Sequence, residues 1–105
     1  MTDRELLELA AKAVGIEGNY KEERRPEEGW EIIGIRTGSW TAWNPLTNDG
    51  DALRLAVKLD LFYHAAFISE FHDARCDVDA TRRAIVRAAA AIGEQMKLPK
   101  KKSGV

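Results

Sequence analysis

A chain of 105 residues, 45% hydrophobic and 31% charged with a formal charge of −1, holds one core and one domain and is too apolar and too nearly neutral for disorder. Near-neutrality excludes the chain as a whole as a polyanion binder, and its single cysteine, Cys76, excludes an internal disulfide and fits a reducing compartment. The charged start, Met1 to Glu5, lacks the apolar segment of a signal peptide, and the apolar-rich stretch Leu61 to Phe71 is far shorter than the roughly 20 residues a membrane helix needs.

Thr2 and Glu5 have capping-box spacing and predict a helix over 3–14. Leu6, Leu9, Ala10, Ala13 and Val14 form its apolar stripe, and Gly15 supplies the left-handed stop. From Glu17 to Glu28 the chain is polar, with Arg24-Arg25-Pro26 at its middle, and reads as a surface loop. Trp30 to Arg36 reads as a strand, Thr37-Gly38-Ser39 as a turn, and Trp40 to Trp43 as the returning arm of a hairpin.

A second helix enters at Asn48-Asp49-Gly50-Asp51, with Asp49 as the expected N-cap and Asp51 in the first turn, where a carboxylate favours the positive helix end. Ala52, Leu53, Leu55, Ala56 and Leu59 make its expected buried face, with Arg54 and Lys58 toward water. Leu61 to Phe71 fits two readings. No Gly or Pro separates it from the second helix, so one long helix is possible; its aromatic content and the alternation Phe62-His64-Ala66-Ile68 favour a strand, with Asp60 as hinge. The last helix runs from Asp77–Asp79 to Met96 on a core line of Ile85, Ala88, Ile92 and Met96, with Arg82, Arg83 and Arg87 on its other faces. Leu98-Pro99 ends it, and residues 99–105 form a basic tail beyond a domain of 1–98. The expected architecture is α+β: a small antiparallel sheet of about three strands with three helices, in the order helix, hairpin, helix, strand, helix.

Three runs resemble a family of small phage and prophage proteins, the phage ABA-sandwich-like proteins. They are Arg4 to Ala13, the long run Trp43 to Leu59, and Ala80 to Gly93. The resemblance implies a layered α/β fold and a phage or prophage gene, and it implies no reaction. Two departures stand out: Asp60 where the family tends to carry Gly, and Asp77-Val78 where it carries Asp-Pro.

Each candidate site has a plainer competitor. Asn48 to Asp51 has the clustered oxygens of a calcium or magnesium site, but the sixth position counted from Asp49 holds Arg54 rather than the glycine of a calcium hand, so capping is the better reading. His64, His72, Asp73 and Cys76 match no zinc spacing, His72 with Cys76 is a weak nucleophile pair, and His64 suits a half-buried strand position. We therefore expect no metal, no cofactor and no catalysis. Trp30, Trp40 and Trp43 are either core aromatics or a platform for a base. Arg82, Arg83 and Arg87, with Lys100, Lys101 and Lys102, form the basic region, either a solvated face or a phosphate contact.

Trp40, Trp43, Arg82, Arg83 and Arg87 are accordingly the candidate binding residues. The expectation is a non-enzymatic protein acting by binding. In the phage setting, its partner would be a host defence protein. Alternatives are a defence nucleotide, sequestered by Trp and Arg, or a nucleic acid on the arginine face. The expected location is the host cytoplasm. The apolar surface of Leu61–Phe71 and Ile85–Met96 leads us to expect a homo-oligomer.

Overall fold

The Thr2–Glu5 pair opens the fold as expected. In the computed structural model, which describes residues 1–39, 41–64, 68–69, 71 and 77–97, Glu5 N–H donates to Thr2 Oγ1 and Thr2 N–H to Glu5 Oε1, both at 3.1 Å. Helix α1 runs Asp3–Val14 and stops at Gly15, where Ile16 N–H returns to the Ala11 carbonyl at 2.9 Å. Leu7 and Ala11 are buried alongside Leu6, Leu9, Ala10 and Val14. That face is wider than the predicted stripe, because the helix packs against both the sheet and the last helix.

The segment read as a loop contains strand β1 (Tyr20–Arg25), and a short 3-10 turn, Pro26–Glu28, leads to β2 (Trp30–Arg36). β1 pairs antiparallel with β2 from Tyr20↔Ile35 to Arg25↔Trp30. β2 then pairs with β3 (Ala42–Trp43) through Ile35↔Trp43 and Arg36↔Ala42, the predicted hairpin with a shorter second arm. The order is β1-β2-β3. Gly34 lies at φ 142°, and a Cβ there would stand 2.5 Å from the Trp43 carbonyl oxygen, so only glycine lets β3 come this close.

Helix α2 spans Asp49–Lys58, but its N-cap is Asn48 rather than Asp49. Asn48 has extended backbone and its side-chain oxygen accepts from Asp51 N–H at 2.8 Å; Asp49 is already helical, which frees its carboxylate for another partner. Asp60 follows in left-handed conformation, φ 52°, a backbone that glycine tolerates best.

Beyond it, Leu61–Tyr63 is a 3-10 helix and Ile68, Ser69 and Phe71 are helical, so the strand expected over Leu61–Phe71 is corrected at each of those residues. The third strand of the sheet is β1 instead. Helix α3, Val78–Lys97, has the predicted extent. Ile85 and Ala88 are buried in it and Ile92 partly so, whereas Met96 is exposed. Among the described residues the fold is thus α+β, three helices with a three-stranded antiparallel sheet, and none of its helices is long and apolar enough to cross a membrane. The basic tail, residues 99–105, lies outside the described residues.

The core forms where α1 and α2 pack on α3 and the sheet closes one side with Ile35 and Trp43. At Gly93 a Cβ would meet the Leu9 carbonyl oxygen at 2.0 Å, so α1 and α3 touch backbone to backbone.

Candidate functional site

Helix α2 buries Ala52, Leu55 and Ala56 toward α3 and keeps Leu59 half-buried. At 100° per residue, Leu53 and Val57 fall well outside that arc. They are 58% and 63% exposed, which corrects the assignment of Leu53 to the buried face. Phe62, on the 3-10 turn after α2, is 48% exposed, and Val78, opening α3, is 62% exposed.

Leu53, Phe62 and Val78 form the walls of one groove of about 390 Å³ between α2 and α3, with Ala52 and Ile85 at its floor. Its polar lining comes from Asp49, Asp77, Thr81 and Arg82. Asp77 accepts from Ala80 N–H at 2.9 Å, which caps α3. The Asp49 carboxylate lies 2.5 Å from the Arg82 guanidinium, and Asp79 bonds the same guanidinium from one turn earlier on α3. Arg82 also donates to the Leu46 carbonyl at 2.8 Å, and its side chain is only 15% exposed. It therefore ties the turn before α2 to the start of α3. Two carboxylates, Asp49 and Asp77, thus line the groove with one guanidinium, and Asp49 is already bonded to it.

A second set of bonds holds α2 in place. Asp51 accepts from Asn44 N–H at 3.0 Å and from Arg54 at 2.8 Å. The buried Asn44 donates to the Ile33 carbonyl and accepts from Leu46 N–H, both at 3.0 Å. Clustered oxygens in Asn48–Asp51 are thereby spent on capping and on positioning the helix. Among the described residues no cluster of His, Cys, Asp and Glu suits a metal ion.

Among the described residues the candidate binding residues do not converge. Trp43 is 8% exposed within the core and lines a different cavity from Arg82. Arg83 reaches α1, where its guanidinium meets the Asp3 carboxylate at 2.9 Å; that hydrogen bond raises its already high pKa. Arg87 is exposed on α3. Trp30 is half-buried and donates to Glu28 at 3.0 Å. His64 is exposed after the 3-10 turn, not half-buried on a strand. Trp40, His72, Asp73, Cys76 and Lys100 to Lys102 lie outside the described residues.

Leu53, Phe62 and Val78 escaped sequence reasoning as site residues. The signal was present in α2, whose apolar positions span more of the helix circumference than one packed face can bury. No family model matches this chain, and no curated protein or solved structure compared with it matches either.

Proposed function

We propose that this is a non-enzymatic binding protein that takes an amphipathic segment of another protein in the groove between α2 and α3. The observation that carries this reading is the groove itself: exposed Leu53, Phe62 and Val78 around a buried floor, with carboxylates at the rim. An apolar groove of that kind suits the apolar side of a helix, read by anchors spaced i, i+3, i+4. The lining carboxylates Asp49 and Asp77, with Arg82 the only cation among the lining residues, favour a segment flanked by lysine or arginine.

The two longer runs that resemble phage ABA-sandwich-like proteins face each other here. Trp43 to Leu59 supplies Asp49, Ala52 and Leu53, and Ala80 to Gly93 supplies Thr81, Arg82 and Ile85. The phage or prophage setting, with a host defence protein in the bacterial cytoplasm as partner, is what that resemblance suggests for the occupant. A phosphate partner is less well served, because Arg82 and Arg83 are already matched by Asp49, Asp79 and Asp3.

The test is capture from host lysate by the parent and by a Leu53→Ser, Val78→Ser variant, with cross-linking to locate the contact. Both side chains are exposed, so the variant should melt with the parent. The expected partner cross-links to the groove through a basic amphipathic segment and is lost with the variant. Capture that is equal for both proteins, or cross-links confined to the arginines of α3, overturns the reading. So does self-association that fills the groove and is abolished by the same variant, because the occupant is then a second copy.

A further inference from the structure

A second cavity, of about 210 Å³, opens on the other side of α2. Its apolar lining joins three parts of the chain: Val14 and Ile16 at the end of α1, Trp43 on β3, and Leu55 on α2. Val14, Trp43 and Leu55 are at most 8% exposed and so form a firm floor. Its polar lining is cationic throughout, from Arg54 and Lys58, and no carboxylate lines it. The two cations stand four apart on α2 and so share one side of the helix. Arg54 gives one nitrogen to Asp51 at 2.8 Å but keeps its side chain 73% exposed, with further N–H donors available. Lys58 is exposed and has no ion pair among the described residues.

We infer that this cavity is a binding site for a small aromatic acid, its ring on the Trp43 floor and its carboxylate between Arg54 and Lys58. Size supports the ring: an apolar cavity of about 150 Å³ holds benzene, so 210 Å³ admits a six-membered ring with a short acidic arm. Charge supports the acid, since a guanidinium and an ammonium at an apolar mouth form charge-assisted bonds with a carboxylate. The juxtaposition of tryptophan with cations that the sequence raised for Trp43 and the α3 arginines is made here by α2 instead. This site is independent of the α2–α3 groove and shares no lining residue with it.

Phenylacetate is the probe and 2-phenylethanol its neutral counterpart, each titrated into the full-length ¹⁵N-labelled protein. Phenylacetate should give saturable shifts at the Trp43 indole N–H and at the Ile16 and Leu55 amides at millimolar concentration, while 2-phenylethanol binds more weakly. Arg54→Gln with Lys58→Gln should weaken phenylacetate binding about tenfold or more, the scale of losing charge-assisted bonds, and leave 2-phenylethanol unchanged. Should the double variant melt early, Lys58→Gln alone carries the test, because no ion pair is lost with it. Leu53→Ser with Val78→Ser should bind phenylacetate as the parent does, so failure of the groove reading would leave this site standing. Absence of saturable shifts overturns the inference, as does equal affinity for the two probes or unchanged binding by the folded glutamine variant.

Discussion

Along α1 and α3 half of the buried hydrophobic positions are alanine, at Ala10, Ala11, Ala84, Ala88, Ala89 and Ala90, and Gly93 brings the two backbones into contact. Along β1 every side chain from Lys21 to Arg25 is exposed. The first region is held by close-packed apolar surface, where one methyl group is felt. β1 is held by its ladder to β2 and by polar ties at its surface. Arg36 is the chief of these, reaching Glu23 on β1 at 2.9 Å and the Gly38 and Ser39 carbonyls in the next turn. Stability is therefore concentrated in the helices and the buried Ile35 and Trp43, and β1 depends on bonds that water can replace. Both candidate cavities border α2, which is packed on one side and exposed on the other.

The contrast breaks most readily at Gly93. Gly93→Val should cost more than about 3 kcal/mol, because the new side chain would begin 2.0 Å from the Leu9 carbonyl oxygen and force the helices apart. Urea unfolding measures this, and a loss under about 1 kcal/mol would mean that α1 and α3 do not pack at this distance.

At the entrance to α2 the effect is smaller. Asn48→Ala should cost about 1 kcal/mol, the usual scale for losing an N-cap, by leaving Asp51 N–H without its acceptor. Asp49→Ala tests a different bond, one of the three that hold Arg82. An equal midpoint for Asn48→Ala and the parent would place the helix start elsewhere.

Asp60→Gly should stabilise the chain by about 0.5 kcal/mol. Relief of a left-handed backbone, about 1–2 kcal/mol for an ordinary side chain, is partly offset by the greater freedom of glycine when unfolded. The observed φ of 52° is one that glycine adopts without a side-chain penalty. A fall in midpoint would show that Asp60 contributes more than its backbone cost.

Legibility in the sequence followed the same division. Helix α1 was readable to its ends because Thr2, Glu5 and Gly15 each carry a local mechanism, and α3 because its apolar period is long. β1 was not, since Tyr-Lys-Glu-Glu-Arg-Arg has no buried face to alternate with; its strand character comes from pairing with β2, a tertiary cause. Aromatic content misled at Leu61–Tyr63, where the left-handed Asp60 turns the chain into a 3-10 helix and buries Leu61 beneath α2 and α3. Of the candidate residues, the arginines were visible by type, but their partners, Asp3, Asp49 and Leu46, lie up to 80 positions away in the chain.

The smallest expected effect belongs to the hairpin and depends on pH. Tyr20 donates its hydroxyl to Glu22 at 2.9 Å, its ring lies 5.6 Å from the Arg4 guanidinium carbon, and partial burial followed by the Glu22 bond raises its pKa above the ordinary 10.0. The folded chain thus favours the protonated phenol more than the unfolded chain does. This contribution is complete below pH 10.0 and is lost as pH rises through the higher folded value. Tyr20→Phe should lower the urea midpoint slightly at pH 8, by less than about 0.5 kcal/mol, the scale of a change near the surface. The gap between parent and variant should then narrow as pH passes 10 and continue to close above it. Background titration of lysines affects both proteins alike and cancels in that difference. A gap that stays constant to pH 11 would show that the Tyr20–Glu22 bond contributes nothing, and β1 would then rest on its backbone ladder and the Arg36–Glu23 and Arg24–Glu31 pairs.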